Sequence, residues 1–220
     1  MKYPEDYINK VIQGDCLEVM KGMPDKCVDL VLTDPPYGIG IAKNGMAIGS
    51  LGSTGVAKRQ DYGKQDWDAF TPSKEYFDEI IRVSKNQAIF GGNYFTDKLP
   101  QSNKWLVWDK NNEHSVLSDC ELVWTSVKGR VQKKMYTWNG MIQEDMKNKE
   151  IRHHPTQKPV EVMKWVLSIF PETKTVLDPF SGSGSTLVAC KNMGVDFIGI
   201  EQSDKYVSVA NERLKQDLLF

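Results

Sequence analysis

Hydrophobic and polar positions along this chain follow two alternating periods. Short apolar runs rich in β-branched residues recur at 28–33, 88–91, 105–108, 121–127, 175–178 and 197–201, the pattern of strands buried on both faces. Between them the apolar positions move to helical spacing at Tyr76, Ile80 and Val83, at Val160, Met163, Leu167 and Phe170, and at Tyr206, Val209, Ala210 and Leu214. Pro159 suits the first position of a helix and Pro171 ends it, while Gly194 punctuates a helix beginning near Ser185. Strands alternating with helices predict an α/β chain built on a doubly wound sheet. Two stretches break the pattern. Residues 38–66 are glycine-rich and carry Lys43, Lys58, Arg59 and Lys64, and residues 128–154 are polar and rich in Lys and Arg. Both are expected to be long loops, and loops of that length are either functional or disordered.

Composition narrows the class. With 220 residues, 40% of them hydrophobic, the chain suffices for one sizeable core, so residues 1–220 are expected to form one domain. The formal net charge is −1, so a polyanionic partner would have to be drawn by local basic patches rather than by the field of the whole molecule. Cys16, Cys27, Cys120 and Cys190 stand far apart with no CxxC pair, which argues against a zinc site and a disulfide framework and predicts reduced, mostly buried thiols. No metal is expected. No apolar run approaches the roughly 20 residues that span a bilayer, and the first residues lack a signal-peptide core, so a cytoplasmic protein is expected.

Two turns carry the candidate chemistry. Residues 175–178 form a strand that runs into Pro179-Phe180-Ser181-Gly182-Ser183-Gly184-Ser185-Thr186, after which a helix begins. A glycine turn between strand and helix lets a ligand approach the backbone closely. The next strand ends at Glu201, about 20 residues after the first glycine, where a carboxylate can grip ribose hydroxyls. No third glycine completes a dinucleotide fingerprint. Asp178 at the mouth would repel a pyrophosphate but suits the amino group of a methionine moiety, which points from NAD toward S-adenosylmethionine.

In the second turn, the buried run 28–33 leads into Asp34-Pro35-Pro36-Tyr37. Two prolines remove two backbone donors and stiffen the chain, leaving the Asp34 carboxylate and the Pro35 carbonyl as acceptors with no local donor competing for them. Such a pair can hold an NH2 group and favour a pyramidal nitrogen, so catalysis would work by positioning and electrostatics. Tyr37 offers a flat face for a base rotated out of a duplex.

These motifs resemble the amino-methylating DNA methyltransferases in which the catalytic motif precedes the cofactor motif, the beta class. The resemblance also takes in Gly14-Asp15-Cys16-Leu17, Phe90-Gly91-Gly92-Asn93-Tyr94-Phe95 and His154-Pro155-Thr156-Gln157-Lys158-Pro159, and covers nearly the whole chain. It implies a Rossmann-like, mixed and mostly parallel seven-stranded sheet flanked by helices, entered at a permuted point, and S-adenosylmethionine as cofactor. Asp34, Pro35, Pro36 and Tyr37 would then be catalytic. Asp15 and the Cys16 backbone would hold the cofactor's adenine ring, and Glu201, with Gln202 beside it, the ribose. Phe180, Gly182, Ser183, Gly184 and Thr186 would line the methionine part, together with Asp34, Asp178, His154 and Thr156, and Lys158 would pair with its carboxylate.

The implied partner is double-stranded DNA with a flipped target base, and members of the class often form dimers, so a homodimer is an expectation. Residues 38–72 and 105–152 are the candidate DNA-contacting and target-recognition segments. Lys128, Arg130, Lys133 and Lys134, interleaved with Tyr136 and Trp138, would supply phosphate anchors and stacking aromatics, and Lys43, Lys58, Arg59 and Lys64 a second patch. The target is expected to be adenine N6. The same acceptors could hold cytosine N4, although members acting on cytosine more often carry Ser in place of Asp34. An RNA base or a protein glutamine amide is a more distant alternative. Methylation at cytosine C5 needs a thiolate nucleophile, and no cysteine here follows a proline.

Overall fold

The computed structural model describes residues 1–40, 71–112, 118–139, 142–154 and 156–216; Lys43, Lys58, Arg59 and Lys64 lie outside the described residues. The chain runs β1 (Lys10–Gln13), α1 (Cys16–Lys21), β2 (Val28–Thr33), α2 (Lys74–Val83), β3 (Ser84–Phe90), β4 (Trp105–Asp109), β5 (Cys120–Thr125), β6 (Gln132–Met135), β7 (Trp138–Asn139), β8 (Ile142–Gln143), α3 (Val160–Ser168), β9 (Thr175–Asp178), α4 (Ser185–Met193), β10 (Asp196–Glu201) and α5 (Asp204–Lys215). One sheet has the order β1-β10-β9-β2-β3-β5-β4-β6, and β7 and β8 form a small separate hairpin. All neighbouring pairs from β1 to β3 are parallel, and among the described strands of this sheet only β5 runs against the rest, antiparallel to both β3 and β4.

Side-chain alternation along the central strands builds the two halves of the core. Leu30 and Leu32 of β2 and Ala88 and Phe90 of β3 face the cluster formed with Val162, Met163 and Val166 of α3 and Leu187 and Ala189 of α4. Val31 and Ile89, pointing the other way, pack with Cys16 and Met20 of α1 and Phe77, Ile80 and Val83 of α2. Helices thus cover both faces, as the doubly wound reading requires.

The sheet has eight strands where seven were expected. The extra strand is β6, Gln-Lys-Lys-Met, which pairs parallel to β4 at the edge of the sheet. Its lysines hid it from a hydrophobic pattern, and lysines are what edge strands use to discourage further pairing. Residues 128–154 are therefore not one long loop, since they contain β6 and the β7–β8 hairpin. β1 also escaped the pattern, because its four residues include only Val11 and Ile12 as apolar positions. Pro159 stands one residue outside α3 as its N-terminal cap. All four cysteines are free, but Cys120 is exposed and Cys27 only half-buried, so the thiols are less uniformly buried than expected. Among the described residues no helix is long and apolar enough to cross a membrane.

Candidate active site

β2 and β9 are adjacent and parallel, with Leu30 opposite Val176 and Val31 opposite Leu177. Their carboxyl ends therefore open on the same edge, at the place where the connections turn from one half of the sheet to the other, and open α/β sheets bind ligands at such a point. The Thr33 hydroxyl, at the end of β2, donates to Asp178 Oδ1 at the end of β9 across 2.7 Å. The two candidate turns are fastened to each other at their roots. Both line one cavity of about 1050 Å³, which takes in Asp34, Pro35, Pro36 and Tyr37 on one side and Asp178 to Ser183 on the other.

The glycine side of the cavity is built for close approach. Gly182 has φ +49°, and nothing lies within 4 Å of where its Cβ would stand, so the turn leaves open floor above the backbone. Its N–H donates to Glu201 Oε2 at 2.9 Å, and the Ser203 N–H donates to Oε1 at 2.8 Å. Each oxygen keeps a further lone pair for a hydroxyl donor. Burial holds the Glu201 carboxyl above its usual range, and it raises Asp178 to about 6 against the hydrogen bonds that favour its charged form. His154, also on the cavity wall, is pushed down to about 4 by burial and by Lys158 and Lys205, so its ring is neutral at neutral pH. Cys16, Thr156, Phe180, Ser183, Thr186 and Gln202 share this wall.

Two residues expected to hold the cofactor lie off the cavity wall and have structural duties. Asp15 does not line the cavity. Its Oδ1 caps α1 by accepting from the Leu17 N–H at 2.8 Å, and its Oδ2 accepts from Tyr76 and Gln202. Gly184 is also absent from the wall. Its φ is +82°, and a Cβ there would stand 3.0 Å from Ala210 Cβ, so this glycine lets α4 pack on α5.

At the proline turn the expectation of unopposed acceptors needs correcting. The Tyr37 hydroxyl donates to Asp34 Oδ1 at 2.6 Å, and Lys158 Nζ donates to Asp34 Oδ2 at 2.6 Å. Lys158 thus pairs with the Asp34 carboxylate, and with Glu121 Oε2 at 3.1 Å, rather than pointing at a methionine carboxylate. Lys110 completes the chain of charges, 2.7 Å from Glu121 Oε1. Burial raises Asp34, opposed by Lys158 and reinforced by Glu121. Burial also works against Glu121, but Lys158 and Lys110 outweigh it and bring that carboxyl down to about 2. Nor is the face of Tyr37 free. It stacks on Tyr94 with centroids 4.8 Å apart and planes at 15°, and a Cβ on Gly91 would stand 2.2 Å from its Cε1.

Glu121, Lys110 and Arg213 were not singled out in the sequence, and Tyr94 stood there only within a motif, without a role of its own. A lone acid heading the apolar run at 121–127 was the available signal for Glu121. Arg213 is buried in α5 and donates to the Ser183 carbonyl at 2.7 Å, tying that helix to the glycine turn.

The expected DNA anchors divide. Ala88 faces Thr125 and Phe90 faces Val123, so β5 leaves the cavity edge at Cys120 and ends at the opposite edge of the sheet. Lys128 and Arg130 follow it there, beside Lys104 at the start of β4, and do not share an edge with Asp34. Lys133 is paired with Asp109 at 3.0 Å. Lys134 stands opposite Trp108 in β6.

Comparison with known proteins follows the same lines. A family model described as DNA methylase matches residues 92–212. The chain is similar to the type II methyltransferase M.HinfI of Haemophilus influenzae, 27% identical over 259 residues that cover 96% of this chain and 69% of that protein. Among solved structures, the M1.HpyAVI–SAM complex superposes with a TM-score of 0.53 at 23% identity, covering 94% of this chain and 99% of that one. The PvuII DNA methyltransferase, specific for cytosine N4, superposes with a TM-score of 0.59 at 15% identity, covering 96% and 87%. At these identities the superpositions establish the fold.

Proposed function

The chain belongs to the DNA methylase family whose model it matches, and from that premise we propose that it transfers the methyl group of S-adenosylmethionine to the exocyclic N6 of adenine in double-stranded DNA. The observation that carries the reading is the shared cavity: the proline turn and the glycine turn open on one space and are joined by the Thr33–Asp178 hydrogen bond.

The residues present fit the cofactor. Gly182 leaves an open cradle, the buried Asp178 carboxylate suits an ammonium, and Glu201 keeps acceptors for ribose hydroxyls. When bound, S-adenosylmethionine supplies an electrophilic methyl group on a sulfonium. Asp34 and the Pro35 carbonyl accept from the target amine and orient its lone pair toward the Gly182 side, and the enclosed site strengthens both hydrogen bonds. The far part of the cavity, walled by Trp108, Asn112, Trp138 and Arg152, is large enough and aromatic enough to receive a base turned out of the duplex. Aspartate at the head of the turn supports adenine over cytosine.

The test is to incubate unmethylated duplex DNA with labelled S-adenosylmethionine, hydrolyse it and identify the methylated nucleoside by mass spectrometry. N6-methyladenine is the expected product. N4-methylcytosine would transfer the reading to the other base, and a protein that binds the cofactor yet marks neither base would overturn it.

A further inference from the structure

We propose that Glu121, which lies outside both turns, is a positioning residue of this site: it shares the Lys158 ammonium with Asp34 and takes it over when a target amine engages the catalytic carboxylate. The inference rests on the amino-methylation reading above.

Asp34, Lys158, Glu121 and Lys110 form an alternating line of charge, with contacts of 2.6, 3.1 and 2.7 Å in that order. The line is well shielded. The Lys158 side chain is 5% exposed, and those of Glu121 and Lys110 are 16% each. In such surroundings a charge left without its partner is strongly unfavourable. The Tyr37 hydroxyl bridges the same two carboxylates, 2.6 Å from Asp34 Oδ1 and 3.3 Å from Glu121 Oε2.

This arrangement answers a difficulty that Asp34 and Lys158 alone would create. A charge-assisted hydrogen bond is about twice as strong as a neutral one, so an incoming NH2 group competes poorly with an ammonium already seated on Oδ2. With Glu121 alongside, Lys158 need only lengthen its contact to Asp34 and shorten the one to Glu121, and it stays paired throughout. Glu121 is fitted to receive it because Lys110 holds its other oxygen in place and because its carboxyl remains ionised far below neutral pH. Positive charge growing on the amine during transfer then meets an Asp34 carboxylate no longer neutralised by lysine.

The test compares single-turnover methylation of duplex DNA by the wild type, Glu121→Gln, Glu121→Asp and the double variant Glu121→Gln/Lys110→Met, with cofactor affinity measured by calorimetry in parallel. Glu121→Gln, nearly isosteric but uncharged, should slow transfer by about tenfold or more while the cofactor dissociation constant stays within about twofold. Glu121→Asp, which keeps the charge, should regain most of the loss. The double variant restores the charge balance without giving Lys158 a second carboxylate, and it should stay slow. A Glu121→Gln rate within about twofold of wild type, equal losses in rate and cofactor affinity, or recovery in the double variant would each overturn the inference. A wild type that methylates no DNA base at all would instead remove the reading on which it rests.

Discussion

On the proposed reading Asp34 accepts a substrate amine while two donors of its own chain already occupy its oxygens, and that crowding sets what single substitutions should do. Asp34→Ala should lower the transfer rate by at least about a hundredfold, with cofactor affinity nearly unchanged. Glu201→Ala should chiefly weaken cofactor binding; steady-state kinetics with calorimetry separates the two, and equal losses in both variants would contradict the division. Asp178 adds a pH signature. Its carboxyl is raised to about 6, so the anion that suits an ammonium is lost as pH falls through that value. Cofactor affinity measured by calorimetry should drop by up to about tenfold per pH unit below it, and Asp178→Asn should flatten the profile. Stability of the free protein runs the other way. Asp178's contribution is fully present below its unfolded value near 3.8 and is lost as pH rises through about 6. Asp34 and Asp178 were legible in the sequence because each sits at a strand end beside a proline or glycine turn whose chemistry is local, and Glu201 because it ends the next strand about 20 residues after the first glycine. Glu121 and Lys110 were not. Their place in the site depends on the pairing of β4 with β5, and Lys158 was misread because a motif gives a residue's position without the direction of its ammonium.

Between residue and molecule, the fit of α4 on the sheet positions the glycine turn. Gly199 in β10 lies under this helix, and a Cβ there would stand 2.5 Å from Leu187 Cδ1 and 3.3 Å from Ser181 Cβ. Gly199→Ala should therefore lift α4 and the turn together. We expect a loss of about 1–3 kcal/mol in stability by chemical denaturation and weaker cofactor binding with little change in the rate at saturating cofactor. A variant that loses stability but keeps its cofactor affinity would show that the turn holds its shape independently of the helix. The elements with one strong period, such as β2, β9, α3 and α5, were readable from the hydrophobic pattern alone. β1 and β6 were not, because a strand of four residues at or near a sheet edge needs few apolar side chains, and β6 presents lysines to solvent.

For the whole molecule, the strand order decides which surface can meet DNA. The cavity opens at the carboxyl ends of the parallel strands, whereas Lys128 and Arg130 are carried to the other edge by β5. Lys147 and Lys149 are exposed on the segment between Trp138 and Arg152, both of which line the cavity, and on the proposed reading they are the candidates for phosphate contact. Removing Lys147 and Lys149 together should reduce the slope of log affinity against log salt by about 2, near 0.9 for each phosphate no longer neutralised, while removing Lys128 and Arg130 should leave it unchanged. Fluorescence anisotropy across a salt series reads both, and the reverse result would place the duplex on the other edge. If the two turns form one reaction centre, a crystal structure with S-adenosylhomocysteine bound will show it. In-line attack puts the methyl roughly 3 Å from the amine nitrogen. That nitrogen lies about 2.9 Å from a carboxylate oxygen. With the carbon–sulfur bond added, the sulfur should lie no more than about 8 Å from the Asp34 carboxylate, on the side of the cavity lined by Gly182. A sulfur well beyond that distance, or turned away from Asp34, would contradict the account.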